Sequence, residues 1–252
     1  MDTDGIIRVE NVSKSFDVVG GKVDVLHDIS FTIKRNDFVI IYGPSGCGKS
    51  TLLHTILGLE PPSKGNVKVL DKDIYSNYSE DSVADFRKRN IGMVYQQSNW
   101  VKAVSVEQNV ALPLALLGYS YTERIEKARK ALEGLRLLEW ANFHPSQLSS
   151  GQQQKAAFAR ALITNPGIII ADEPTGNLDF EAGLELMKLL QSLTKSGEKT
   201  VLMVTHDLAY LQYASKAVRL FDGRLQEIFT PGPSKKGPMN NIEIKKDRSG
   251  YE

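Results

Sequence analysis

The chain has 252 residues, 41% of them hydrophobic and 24% charged, which suits a globular protein with room for one α/β domain and an inserted subdomain. Its net charge of +1 gives no basic excess, so nucleic acid is disfavoured as the main partner. A single cysteine excludes an internal disulfide and fits a reducing compartment, and no apolar run has the length needed to span a bilayer.

The start of the chain predicts an antiparallel pair of strands. Residues 6–10 and 31–33 have the composition of short strands, and the polar segment between them contains Gly20 and Gly21, which are typical of a hairpin turn.

A glycine-rich stretch follows a predicted buried strand at residues 38–42 and precedes a predicted helix at residues 52–58. Gly, four residues and then Gly-Lys-Ser predict a P-loop, in which backbone N–H groups and a helix start bind nucleotide phosphates. Lys49 is predicted to reach the β- and γ-phosphates, and the Ser50 hydroxyl to bind Mg²⁺. A Gly-rich turn with a chance lysine is the alternative. The predicted nucleotide-binding residues of the loop are Gly43, Pro44, Ser45, Gly46, Cys47, Gly48, Lys49, Ser50 and Thr51.

Cys47 lies inside this loop, close to a helix start, where the thiolate form is favoured. We therefore expect maleimide to block nucleotide hydrolysis and bound nucleotide to protect against it. The alternative is that Cys47 is a small side chain that fills the loop.

The next predicted elements are a strand at residues 66–70, a charged helix at 79–89 and a strand at 91–95. Gln96 follows the last of these strands. Its amide there can reach Mg²⁺ or a water bound to the ion, and a polar loop residue without that role is an equally good interpretation.

From residue 98 onward the sequence becomes helical. One helix is predicted to start at Ser105 and Glu107, and an amphipathic helix is predicted at residues 122–138 with Thr122 as its N-cap. We interpret residues 98–151 as a helical subdomain inserted into a core formed by residues 1–97 and 152–230.

A helix predicted at residues 149–164 opens with small, hydrogen-bonding residues, which are typical of an anion-binding helix start. The chain has one P-loop, so this second start could serve a nucleotide held by another copy. The stretch consists of Leu148, Ser149, Ser150, Gly151 and Gln152.

Acidic side chains follow the all-apolar strand predicted at residues 168–171. Ligands in open α/β sheets bind beyond the carboxyl ends of the strands. Asp172 is therefore predicted to hold Mg²⁺, and Glu173 to polarise a water in line with the γ-phosphate. The alternative is an acidic helix cap before Pro174.

His206 follows a second apolar strand, predicted at residues 200–204, so it should emerge at the same edge of the sheet. It could bond a γ-phosphate oxygen or the attacking water, although a structural histidine is the simpler interpretation of that residue alone. A hairpin at residues 217–229 is predicted to close the domain of residues 1–230, and residues 231–252 are predicted to be a disordered polar tail.

Together these motifs resemble an ATP-binding cassette ATPase subunit over nearly all of residues 6–229. The P-loop corresponds to Walker A, Gln96 to the Q-loop, residues 148–152 to the signature, residues 168–173 to Walker B, Asp179 to the D-loop and His206 to the switch histidine. Residues 107–114 and 171–179 are similar to the group that serves macrolide export, lipoprotein release, antimicrobial-peptide resistance and a cell-division complex.

The resemblance implies an α/β fold: a P-loop NTPase (RecA-like) core with an N-terminal antiparallel β subdomain and an inserted α-helical subdomain. It implies ATP and Mg²⁺ as cofactors, with Ser50, Gln96 and Asp172 at the metal. It also implies that Glu173, His206 and Gln96 are catalytic.

By the same resemblance, Phe16 would stack on adenine, with a core aromatic residue as the alternative. Two copies would face head to tail, and each ATP would lie between Walker A of one copy and residues 148–152 of the other. Closure would drive integral membrane permease subunits in export or extraction of a substrate. The chain would then be cytoplasmic, held at the inner face of the cell membrane by those subunits.

Two departures from the family pattern have expected effects. Ser150 stands where the family usually has glycine, and a Cβ there costs about 1 kcal/mol if the position needs a positive φ. Lys155 replaces an arginine, which removes a bidentate donor.

The sequence disfavours two other classes of function. Soluble ATP-driven clamps of the DNA-repair or translation-factor kind usually carry two cassettes or a long coiled coil, and neither pattern is found in the sequence. A nucleotide kinase would leave the signature, Glu173 and His206 without a role.

Overall fold

The secondary structure comes from a computed structural model that describes residues 5–76 and 79–232, so most of the tail predicted at residues 231–252 lies outside it. The strands are β1 (Gly5–Val18), β2 (Gly21–Lys34), β3 (Phe38–Tyr42), β4 (Lys64–Val69), β5 (Lys72–Asp73), β6 (Ile91–Tyr95), β7 (Ile168–Asp172), β8 (Thr200–Thr205), β9 (Lys216–Phe221) and β10 (Arg224–Phe229). The helices are α1 (Lys49–Ile56), α2 (Glu80–Asn90), α3 (Val106–Leu116), α4 (Tyr121–Gly134), α5 (Ser150–Leu162) and α6 (Phe180–Lys195).

The larger sheet has the strand order β10-β9-β3-β8-β7-β6, and its neighbours from β9 to β6 are parallel. Strands β3, β7 and β8 are almost wholly buried, which explains their unbroken apolar sequences. The register places Tyr42 beside Thr205, and Asp172 between Val204 and Tyr95. The carboxyl ends of four consecutive strands therefore meet at one edge of the sheet.

The smaller sheet has the order β2-β1-β4-β5 and is antiparallel throughout. β1 and β2 have 14 residues each, far more than the short strands predicted from residues 6–10 and 31–33. The hairpin ends of the two strands are exposed, whereas Val12 of β1 and Leu26 and Ile29 of β2 are buried. Register shifts interrupt the regular pairing between these parts, and the strands continue past them.

Helices α3, α4 and α5 enclose an apolar cluster of their own, which includes Val110, Leu132 and Ala156. The buried side chain of Asn109 ties the loop before α3 to that helix, because its amide bonds the backbone of Val101 in both directions at 2.9 and 3.0 Å. Within residues 5–76 and 79–232, none of the helices is long and apolar enough to cross a membrane.

The amphipathic helix predicted at residues 122–138 is present as α4, but the prediction that Thr122 is its N-cap is wrong. Helix α4 begins at Tyr121, and Ser120 is its N-cap. The Glu123 N–H donates to Ser120 Oγ at 3.4 Å, and the Ser120 N–H donates to Glu123 Oε2 at 3.1 Å. This reciprocal capping box satisfies two backbone donors, whereas Thr122 lies too far into the first turn to cap them.

We expect Ser120→Ala to lower the free energy of unfolding by about 1 kcal/mol, because it removes the cap acceptor. The matched control is Thr122→Ala, which should change the free energy of unfolding by less than about 0.5 kcal/mol. Urea titrations of both variants followed by circular dichroism provide the measurement. A larger loss for Thr122→Ala than for Ser120→Ala would contradict the assigned cap.

Candidate functional site

The loop between β3 and α1 depends on glycine at both ends. A Cβ on Gly43 would lie 2.1 Å from the carbonyl oxygen of Leu220, so a larger residue does not fit. Gly48 is the N-cap of α1 and has a φ of 98°, which side-chain-bearing residues rarely adopt. Among the described residues no side chain caps α1, so the free N–H groups at its start remain available to an anion.

Lys49 holds a positive charge inside this loop. Its Nζ donates to the carbonyl oxygens of Gly43 and Pro44 at 2.9 Å each, and the side chain is buried. These bonds use two of the three ammonium donors. The ammonium is therefore held by the backbone of the loop itself, and no carboxylate of residues 5–76 and 79–232 lies within ion-pair distance of it.

Cys47 does not face the phosphate side of the loop. Its side chain is 5% exposed and belongs to the apolar core, and a Cβ on Gly43 would lie 2.8 Å from its Sγ. Burial raises the pKa of the Cys47 thiol, and the nearby Lys49 charge offsets only part of that effect. The expectation of a favoured thiolate is wrong, because it rested on the position of Cys47 in the chain and not on the direction of its side chain.

Asp172 ends β7 and is partly buried at the shared edge of the sheet. Burial and the adjacent Glu173 carboxylate raise the pKa of Asp172, while His54 and Lys49 act in the opposite direction. Two neighbouring carboxylates, one of them poorly solvated, are stabilised by a cation. The donor set at this edge therefore suits Mg²⁺.

Glu173 has a strained backbone that the sequence does not signal. Its φ of 44° lies in the left-handed region, a conformation that costs a non-glycine residue about 1–3 kcal/mol. Its N–H donates to the carbonyl oxygen of Val204 at 2.9 Å, and its Oε2 lies 3.0 Å from Nδ1 of His206. The turn after β7 thus brings the glutamate and the histidine together between two adjacent strands.

Gln96 follows β6 and packs against the segment after Glu173. A Cβ on Gly176 would lie 2.6 Å from Nε2 of Gln96, and the Asn177 side-chain amide donates to the Gln96 carbonyl oxygen at 3.1 Å. Ser150 lines the same cleft as Gln96 and Asn177. A shift of the loop at Gln96 would therefore disturb the turn that carries Glu173.

Side chains of helix α5 contact the segment that follows Gln96. Ser98 Oγ donates to Gln154 Oε1 at 3.2 Å, and Trp100 Nε1 donates to Gln153 Oε1 at 3.1 Å. The Arg160 guanidinium donates to the Ser98 carbonyl oxygen and lies 4.7 Å from the Trp100 ring. These contacts belong to no sequence motif. The one signal for them in the sequence is that residues 153 and 160 are seven positions apart and therefore lie on the same face of the helix.

Ser149 is the N-cap of α5. The Gln152 N–H donates to Ser149 Oγ at 3.3 Å, and the Ser149 N–H donates to Gln152 Oε1 at 2.9 Å. Ser150 lies inside the helix and is not among the described residues with a positive φ, so the expected condition for strain is absent. Lys155 forms an ion pair with Glu185, with Nζ 2.6 Å from Oε2.

Two further residues of the predicted site, Phe16 and Asp179, make contacts away from the carboxyl-end edge of the larger sheet. Phe16 lies near the end of β1, opposite Val23, with its ring partly exposed. Asp179 is the N-cap of α6, and its Oδ1 accepts from the Ala182 N–H at 2.8 Å.

Comparisons with known proteins agree on one family. Residues 26–176 match the family described as ABC transporter. The chain is 40% identical over 225 residues to the lipoprotein-releasing system ATP-binding protein LolD of Treponema pallidum, which covers 89% of this chain and 99% of that protein. It is 42% identical over 223 residues to the macrolide export ATP-binding/permease protein MacB of Bdellovibrio bacteriovorus, covering 88% of this chain and 33% of MacB.

A solved structure has the same fold. The cassette MJ0796 of Methanocaldococcus jannaschii, as a dimer in a post-hydrolysis state bound to ADP and Pi, superposes with a TM-score of 0.81. The two chains are 36% identical, and the match covers 89% of this chain and 98% of the other. The expected fold, a P-loop core with an antiparallel β subdomain and an inserted helical subdomain, is confirmed.

We expect Cys47 to react with N-ethylmaleimide at least about tenfold more slowly in the native protein than after denaturation, because its thiol is buried and its pKa is raised. A raised pKa places the thiolate at higher pH, so the native rate should still be rising above the ordinary thiol pKa of about 8.5. Mass spectrometry of timed samples measures the rate. Rapid labelling at neutral pH would contradict the buried orientation.

Proposed function

The chain belongs to the ABC transporter family, and we propose that its described residues form half of each ATPase site in a dimer of two copies. It is the ATP-binding and ATP-hydrolysing subunit of such a system. The observation that carries the site assignment is the Glu173–His206 pair, with Oε2 and Nδ1 3.0 Å apart. His206 follows β8, which pairs with β3, and Glu173 follows β7, the next strand along, so the pair lies at the same edge of the sheet as the phosphate loop that follows β3.

On the near side of the nucleotide, the phosphate loop binds and orients the phosphates. Free N–H groups at the start of α1 and the Lys49 ammonium offer donors to the β- and γ-phosphate oxygens. Glu173 then accepts a proton from the water that attacks the γ-phosphorus. Its contact with His206 holds the carboxylate in place and leaves the other ring nitrogen, Nε2, free to face the γ-phosphate.

Mg²⁺ would be held by the Ser50 hydroxyl, the Gln96 amide and the Asp172 carboxylate. Bound there, the ion would neutralise charge on the β- and γ-phosphate oxygens. The raised pKa of Asp172, caused by its burial and by Glu173, supports this assignment, since a cation relieves both effects. On the adenine side, we propose that the Phe16 ring stacks on the base.

The far side of each nucleotide would be completed by a second copy. The capping box uses the Gln152 N–H and leaves the first N–H groups of α5, those of Ser150 and Gly151, for an anion. Leu148 would pack beside them, and the D-loop residue Asp179 would face the same interface. Dimerisation is consistent with MJ0796, which was solved as a dimer with ADP and Pi.

The motion of the pair would act on membrane permease subunits. LolD is named for a lipoprotein-releasing system, and MacB for a macrolide export protein with its own permease. We propose that this chain likewise serves a permease, at the cytoplasmic face of a membrane. The cleft at Gln96, which α5 contacts, connects the residues at the γ-phosphate to the helical segment of residues 98–151.

We expect Glu173→Gln to keep ATP binding but to lower the hydrolysis rate about 10²- to 10⁴-fold, the range for loss of a general base. Phosphate release and nucleotide binding are measured on the same preparation. The control is Glu198→Gln, an exposed carboxylate before β8, which should leave both unchanged. Hydrolysis by Glu173→Gln within a few-fold of the parent protein would rule out this residue as the base.

A mixing experiment tests the shared site. Ser149→Arg blocks the far side and Lys49→Ala the near side, so neither homodimer has an intact site. A mixed dimer has one, formed by the phosphate loop of the first variant and the α5 start of the second. We expect the equimolar mixture to hydrolyse ATP faster than either variant alone.

The matched control mixes Lys49→Ala with Glu173→Gln, which both damage the near side, so no pairing restores a site. This mixture should show no gain. If the Ser149→Arg and Lys49→Ala mixture also shows no gain in hydrolysis and no ATP-dependent association, the shared site is wrong.

A further inference from the structure

A buried lysine lies against the ring of Phe16. The Lys14 side chain is about nine-tenths buried, and its Nζ lies 4.8 Å from the centroid of the ring. The same Nζ donates to the Pro61 carbonyl oxygen at 2.7 Å and pairs with Glu60 Oε1 at 2.5 Å. An ammonium has three donors, and here a carbonyl, a carboxylate and an aromatic face account for all of them.

The partners of Lys14 are anchored to the phosphate-binding helix. Glu60 and Pro61 belong to the segment that follows α1. The Tyr75 hydroxyl lies 2.6 Å from the Thr55 carbonyl oxygen of α1 and 3.0 Å from the Glu60 carbonyl oxygen, so it holds this segment to the end of the helix. Lys14 therefore joins the aromatic ring on β1 to the helix whose first residue is Lys49.

A second set of bonds holds β1 to the same segment. The Ser63 N–H donates to the Ser13 carbonyl oxygen at 2.8 Å, and the Ser15 N–H donates to Ser63 Oγ at 3.1 Å. These bonds fix the backbone on either side of Lys14. They do not involve the Phe16 ring, whereas the Lys14 ammonium lies over it.

We propose that Lys14 is a positioning residue for nucleotide binding: it fixes the Phe16 ring relative to the phosphate loop. The inference rests on the adenine contact proposed for Phe16. The ammonium occupies one face of the ring and leaves the other for the base. A ring that is already held in place loses less conformational freedom when ATP binds, so the nucleotide binds more tightly.

The test compares ATP with inorganic tripolyphosphate, which has the phosphate chain but no base. Lys14→Met keeps the length of the side chain and removes the charge. We expect it to weaken ATP binding about three- to tenfold, in the range of a partly desolvated cation–π contact. Tripolyphosphate affinity, measured by competition against a fluorescent nucleotide, should stay within about twofold, because a general structural defect would weaken both ligands.

A double-mutant cycle with Phe16→Ala tests whether Lys14 acts through the ring. Phe16→Ala alone should weaken ATP binding more than Lys14→Met does. Adding Lys14→Met to it should then have no further effect, since residues that act through one contact are not additive.

The matched control is Lys72→Met, which removes a lysine whose Nζ lies 5.2 Å from the Phe86 ring, away from the phosphate loop. It should leave ATP affinity unchanged. Glu60→Gln serves as a second test if Lys14→Met fails to fold, because it loosens the lysine without removing it. It should weaken ATP binding about twofold, and only when Phe16 is present.

The outcomes separate the two proposals. Unchanged ATP affinity in Lys14→Met, or equal losses for ATP and tripolyphosphate, would overturn the role of Lys14 while leaving Phe16 as the adenine contact. Unchanged ATP affinity in Phe16→Ala would overturn the adenine contact, and the role of Lys14 with it.

Discussion

Parallel pairing of β3, β8, β7 and β6 is the constraint on which the rest of the structure depends. Its register aligns the last residues of the four strands, so the segments that follow them must begin at one edge of the sheet. Those segments carry the phosphate loop, His206, Glu173 and Gln96. A slip of one residue in any of these strands would exchange its side chains between the two apolar clusters that pack on opposite faces of the sheet. Close packing on both faces therefore protects the geometry of the site as well as the stability of the sheet.

Two cationic side chains of the proposed site region, Lys49 and Arg160, donate to backbone oxygens. Lys49 is bound by two loop carbonyls, and the Arg160 guanidinium donates to the carbonyls of Ser98 and Asn99. A carbonyl stabilises a cation without cancelling its charge, whereas an ion pair would neutralise it. Burial lowers the pKa of Arg160, which is the expected effect of removing a guanidinium from water. Lys14 does have a carboxylate partner, and its role is to hold a ring in place.

Helix α5 links two parts of the proposed machine that are far apart in sequence. The capping box at Ser149 lies at the start of the helix. In the following turns, Gln153, Gln154 and Arg160 form hydrogen bonds with residues 98–100. Because a helix is a rigid element, we expect a displacement of the Gln96 loop to be passed to the start of α5 through these contacts. This connection would let closure around ATP act on a permease at the helical segment.

The sequence by itself determined most of the strands and helices along the chain and the residue types that follow them. Strands at residues 38–42 and 91–95 were predicted with their observed bounds, because apolar runs and glycine signals are local. Tertiary structure alone decided that Cys47 points into the core, that Glu173 has a φ of 44°, and that Lys14 meets Glu60 across 46 positions. The direction of a side chain and the contacts between distant segments depend on how the elements pack, and no local pattern of residues encodes that packing.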